Sequence, residues 1–171
     1  MKNTINLSTL NGKDLISLYS QIITELRNRN IIRTGNVTGE LGEYLAIEFY
    51  NKSANLPNLQ VAPVGTENID AISRKGERYS IKTITQNTTG AFYGLLPPEA
   101  KDIDEKKFEY VIIVQLSKEY ELLRIIQLSW DMFLKHKRWH SRILQWNLTI
   151  TQDLLADATI VFEKMTAPCS H

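Results

Sequence analysis

Cysteine is almost absent from this chain: one residue, Cys169, stands near the end of its 171 positions. A single thiol cannot close an internal disulfide, so a secreted scaffold stapled by such bonds is excluded. Long hydrophobic runs are missing as well. Segments such as Val111-Ile112-Ile113-Val114 fall far short of the ~20 apolar residues that a membrane helix needs. The opening residues, Met1 to Ser8, hold no apolar stretch long enough for a signal peptide, so a cytoplasmic protein is expected. Excess charge of one sign is lacking too, with 20 Lys+Arg against 19 Asp+Glu and a net charge of +1. No whole-molecule field attracts a polyanion, and a nucleic-acid partner has to be argued from local patches. With no repeat, low-complexity tract or linker in view, residues 1–171 read as one domain.

What is present has the texture of a globular α/β chain, 43% hydrophobic and 23% charged, long enough to bury a core. Residues 12–29 carry a helical period, with Leu15, Leu18, Tyr19, Ile22, Ile23 and Leu26 on one stripe and Asn11 as N-cap. A basic joint follows, Arg27 to Asn30 and Arg33 to Asn36. Asn36 or Thr38 can cap a second helix running to about Asn51, with Leu41, Tyr44, Leu45 and Phe49 as its apolar positions. After Pro57 the pattern predicts strands at 59–63, 67–73 and 78–85, the last two joined by a turn at Arg74-Lys75-Gly76. Residues 87–107 read as a long loop, of the kind that is functional or mobile. A hairpin of strands at 109–117 and 120–128, a helix from Ser129 to Lys137 and a strand at 158–163 complete the pattern. The fold class is α/β.

Chemistry concentrates in Asn68-Ile69-Asp70-Ala71-Ile72-Ser73 and Arg78-Tyr79-Ser80-Ile81-Lys82-Thr83. Strands paired as a hairpin around Gly76 bring Asp70 and Lys82 to one sheet edge. Upstream, Glu40 and Glu43 are three residues apart and share a helix face. An acid between apolar neighbours such as Ile69 and Ala71 is costly unless paired or metal-bound. Carboxylates from a helix and a strand, with a lysine from the next strand, are what phosphodiester hydrolysis needs. Oxygen ligands suit Mg²⁺, which takes only one or two carboxylates from a protein, and a lysine can position or deprotonate the attacking water.

This arrangement resembles the PD-(D/E)XK nucleases, the superfamily of many type II restriction endonucleases. The resemblance rests on Glu43, Asp70 and Ser80-Ile81-Lys82 and spans about residues 36–85. It implies a restriction-endonuclease-like core, a central mixed sheet flanked by helices on both faces. Residues 36–128 would hold the catalytic core, and 129–171 would complete the fold and contact DNA. Asp70 would be the central metal ligand, Glu43 a ligand directly or through water, and the Ile81 carbonyl a further one. Lys82 would position the water or stabilise charge. Ser80 stands where the pattern expects Asp or Glu, although Gln or Ser occurs in some members, and the missing charge puts more weight on Glu43 and Glu40. The resemblance further implies Mg²⁺, with Mn²⁺ able to substitute, and cleavage of double-stranded DNA to leave a 5′-phosphate. A role in restriction or another anti-phage defence goes with it, as does a homodimer, because one site per chain must cut two strands.

Candidate DNA contacts are Arg33 and, in the run Lys135-His136-Lys137-Arg138-Trp139-His140-Ser141-Arg142, Lys135, Lys137, Arg138, His140 and Arg142. The run has no acid and an embedded aromatic, which suits a phosphate backbone, although a solvated helix end would look similar. His136 and His140 have a helical zinc spacing but no Glu-x-x-His context. Trp130 and Trp146 read as core. Two alternatives stay open: a DNA-binding module with this fold that has lost catalysis, and an interaction protein in which Asp70 and Lys82 merely pair. Convergence of the Glu43 and Asp70 carboxylates separates the second from a nuclease.

Overall fold

A strand whose residues are apolar on both faces belongs at the centre of a covered sheet. The run Val111-Ile112-Ile113-Val114 behaves in that way: it lies within β4 (Tyr110–Leu116), and all four residues are fully buried. The computed structural model describes residues 6–63 and 65–165, so Cys169 lies outside the described residues. Six strands form one mixed sheet in the order β1-β2-β3-β4-β5-β8. They are β1 (Leu59–Val61), β2 (Ala71–Ser73), β3 (Arg78–Ile84), β4, β5 (Leu122–Ser129) and β8 (Thr159–Glu163). Only the β3–β4 pair is parallel, with Lys82 opposite Ile113. A smaller hairpin pairs β6 (Arg138–His140) with β7 (Gln145–Asn147).

Side chains of β4 alternate between two cores, as the pleat requires. Ile112 and Val114 join Tyr79 and Ile81 under Ala46 and Tyr50 of α2 (Val37–Lys52). Val111 and Ile113 face the other side with Ile84, Phe92 and Phe108. There they meet Trp130 and Phe133 of α3 (Trp130–His136) and Leu154 of α4 (Gln152–Asp157). The expected mixed α/β sheet with helices on both faces is therefore present. Among the described residues no helix is long and apolar enough to cross a membrane.

Several expectations need adjustment. Helix α1 (Gly12–Asn28) forms as predicted, with Asn11 accepting the Asp14 N–H at 3.0 Å, yet none of its residues is buried. Part of its stripe stays open, Tyr19 at 63% and Ile22 at 49% exposure, while Leu18, Ile23 and Leu26 are half-buried. The buried positions of α2 are Glu40, Gly42, Ala46 and Tyr50 rather than the larger apolar residues that periodicity picks out. Residues 87–107 form no loose loop. Thr88 and Phe92 bridge to Thr149 and Trp146, Phe92 is buried, and the Leu96 N–H donates to Asp104 at 2.7 Å.

One close contact seats α2 on the sheet. Gly42 lies so near β3 that an added Cβ would stand 1.9 Å from Thr83 Oγ1, and that hydroxyl donates to the Gly39 carbonyl at 3.1 Å. Only a residue without a side chain fits there. Gly42→Ala should lower stability by about 1–3 kcal/mol, the range for overpacking, even though alanine favours helix. Urea unfolding of both proteins checks this, and an unchanged midpoint would contradict the contact.

Candidate active site

The β2–β3 hairpin forms around Gly76, whose φ of +82° suits the turn, with Ala71 opposite Tyr79 and Ile72 opposite Arg78. Strand β2 is shorter than predicted because Asn68 turns the chain at φ +60°. Asp70 thus lies just before β2, where its backbone is held from both sides. Its N–H donates to the Tyr79 carbonyl and its carbonyl accepts from the Ala62 N–H, each at 2.9 Å. The side chain continues the ladder: Asp70 Oδ2 accepts the Ile81 N–H at 2.6 Å. In an extended strand the N–H and C=O of one residue face the same edge, so the Ile81 carbonyl is turned toward the same opening.

Glu43 reaches this opening from α2, because the Gly42–Thr83 contact sets the next residue against the end of β3. Asp70, Glu43, Glu40, Arg33 and Thr34 line one cleft of about 440 Å³. Burial and the neighbouring Asp70 charge push the Glu43 carboxyl up to about 7, although Arg33 and Lys82 pull it down. Arg33 stands at the rim with Nη2 3.4 Å from Glu43 Oε2. Two carboxylates share one cleft, and oxygen donors of this kind suit a small hard cation. Among the described residues no group of three or more His, Cys, Asp or Glu side chains is placed to hold a metal. Mg²⁺ takes only one or two carboxylates from a protein, so the Asp70–Glu43 pair is compatible with such an ion.

The other predicted residues divide clearly. Lys82 holds its ammonium 5.0 Å from the centre of the Phe92 ring, and among the described residues no ion pair joins it to Asp70. The merely structural pairing considered above is thereby absent. Ser80 is buried with its hydroxyl 3.4 Å from Asp70 Oδ2, so it supports that carboxylate without opening to the cleft. Glu40 has another task. Burial raises its carboxyl, but the Thr34 and Arg33 N–H groups hold it below the ordinary carboxylate range. Its oxygens brace the joint ahead of α2, where they accept from the Arg33 and Thr34 N–H groups.

The cations of the basic run differ in what they already hold. Lys137 is 13% exposed, pairs with Asp104 and stacks its ammonium 4.2 Å from the Trp146 ring, so it braces the fold. Lys135 pairs with Asp157 at 2.6 Å, as does His136 at 2.7 Å. His140 lies on β6, off the helix of His136, which removes the zinc spacing. Arg138, His140 and Arg142 stay exposed. Sequence reasoning missed Phe92, which carries the Lys82 ammonium; a buried-type aromatic inside an apparent loop was the available signal.

The raised Glu43 carboxyl makes a pH prediction. Its folded value of about 7 lies above the ordinary 4.5, so the native state holds the extra proton between those values. Stability then falls as pH rises through that window, and the penalty is complete above about 7. Glu43→Gln should raise stability by about 1–3 kcal/mol near pH 8 and leave it almost unchanged near pH 4. Urea titrations at both pH values test this; equal shifts at the two would contradict a shared cleft.

No protein-family model matches the chain and no curated protein matches it, so the functional reading rests on the residues themselves.

Proposed function

We propose that this chain is a Mg²⁺-dependent endodeoxyribonuclease with a restriction-endonuclease-like core, acting in restriction or another anti-phage defence. The observation that carries the reading is the meeting of Asp70 and Glu43 in one cleft, with the Lys82 ammonium close enough to act on Glu43 yet unpaired with Asp70. Asp70, Glu43 and the Ile81 carbonyl would hold the cation. When bound, it supplies positive charge to the scissile phosphate and acidifies a water. The remaining chemistry belongs to the chain. Arg33 at the rim can bind a phosphate oxygen in a charge-assisted pair. Lys82, steadied over Phe92, would orient the attacking water and stabilise the negative charge that develops as it attacks.

Duplex DNA would lie across the open edge of β3, with Arg138, His140 and Arg142 toward its backbone. Cutting both strands with one site per chain calls for a homodimer, and the exposed Leu15, Tyr19 and Ile22 of α1 are available to a second copy. A second reading has its own support. Ser80, buried against Asp70 where the nuclease pattern carries an acid, favours a DNA-binding module that keeps the fold without cleavage.

Incubation of the protein with plasmid DNA and Mg²⁺ tests the proposal. Lys82→Ala should cleave ~10²–10⁴-fold more slowly, with folding and DNA affinity retained. Cleavage by the variant at the wild-type rate overturns the mechanism. A wild-type protein that binds more tightly with Mg²⁺ and never cuts supports the second reading.

A further inference from the structure

The hairpin of β6 and β7 ends in a loop, Ser141-Arg142-Ile143-Leu144, whose composition is unlike an ordinary solvent-facing turn. Ile143 is 50% exposed and Leu144 63%. Leu144 also adopts φ +52°, a left-handed conformation that Gly or Asn fills at low cost in hairpin loops. A bulky apolar residue is strained there, and no core packing repays the strain. Residues held in such conformations cluster where a ligand is met.

The base of the hairpin is held by several contacts. Trp139 and Trp146 pack edge-on across the strands with ring centres 5.2 Å apart, and Trp146 Nε1 donates to the Leu96 carbonyl at 2.7 Å. Lys137 locks the same corner through Asp104 and the Trp146 ring. Phe92, which carries the Lys82 ammonium, bridges to Trp146 in the backbone ladder. The hairpin is therefore fixed on the Lys82 side of the sheet. Its exposed polar residues are Arg138, His140, Ser141 and Arg142, and the run from Lys137 to Asn147 contains no acid.

We infer that this hairpin enters a groove of duplex DNA and that Ile143 and Leu144 wedge between base pairs while Arg138 and Arg142 grip the flanking phosphates. Apolar wedges flanked by cations unstack a base step and kink the duplex, and base pairs have the apolar faces that such a tip matches. An acidic protein surface would suit the arginines but offers nothing to the apolar tip. The inference shares its DNA partner with the nuclease reading and requires no catalysis.

A metal-free topology assay tests it, because wedging unwinds DNA whatever the sequence. Closed circular plasmid is relaxed in EDTA by a topoisomerase that needs no metal, with saturating amounts of the full-length protein. The wild type should shift the topoisomer distribution. Ile143→Ser/Leu144→Gly, at equal DNA occupancy, should shift it little, with affinity weakened ~10-fold or more. Both positions are exposed, and glycine removes the left-handed strain, so the variant should melt no lower than the wild type. Arg138→Ala/Arg142→Ala should lower affinity and salt slope together. An equal topoisomer shift by the tip variant overturns the wedge. So does DNA binding by the wild type without any shift, even if Mg²⁺ then produces cleavage. A shift without cleavage upholds the wedge and removes the nuclease reading. Altered self-association in the tip variant, with DNA binding unchanged, would assign the tip to a second copy and overturn the inference.

Discussion

The hydrogen bond from the Ile81 N–H to the Asp70 carboxylate, 2.6 Å long, sets the geometry on which the candidate site depends. It replaces a backbone rung with a side-chain one, so the β2–β3 ladder ends in a charged group. The short strand β2, the left-handed turn at Asn68 and the grip of Ala62 and Tyr79 on the Asp70 backbone all serve to place that group. Glu43 is then delivered to the same spot by a different element, through the approach of α2 to Thr83 that only Gly42 permits. Two like charges in one partly buried cleft cost free energy, and Glu43 responds by holding its proton to about pH 7. Perturbed carboxyls of this kind, gathered in a cleft, are a common mark of function.

The cations divide by what they already hold. Lys137 is enclosed by Asp104 and Trp146 and is structural. Lys135 shares Asp157 with His136. Arg33 is tied loosely to Glu43 and Glu40 at the cleft rim, at distances of 3.4 and 4.0 Å, and a phosphate could compete for it. Lys82 is oriented by a ring, and among the described residues it pairs with no acid. Arg138 and Arg142 are the exposed cations of the second hairpin. The near-zero net charge of the chain thus hides a useful separation between cations that build the fold and cations left to act.

Local signals were legible and long-range ones were not. Asn11, Asn36 and Ser129 cap their helices as their residue types suggest, and the turn at Gly76 fixed the hairpin that presents Asp70. Hydrophobic period revealed α1 but could not say that Leu15, Tyr19 and Ile22 stay exposed, because burial depends on what lies opposite. Glu40 looked like an active-site acid for the same reason: its true partners, the N–H groups of Arg33 and Thr34, become neighbours only once the joint folds back. Lys137 and Asp104 are 33 residues apart, and no periodicity connects them. The strand that carries Arg138 and His140 was invisible because it belongs to a three-residue ladder with β7.

The central claim is that Asp70 and Glu43 form one site for a divalent cation, and calorimetric titration with Mn²⁺ tests it most directly. The wild type should bind with proton release that is large below about pH 7 and small well above it, since Glu43 must give up its proton to ligate. Asp70→Asn should lose most of that heat while keeping its fold. Unchanged Mn²⁺ affinity in Asp70→Asn would contradict the account.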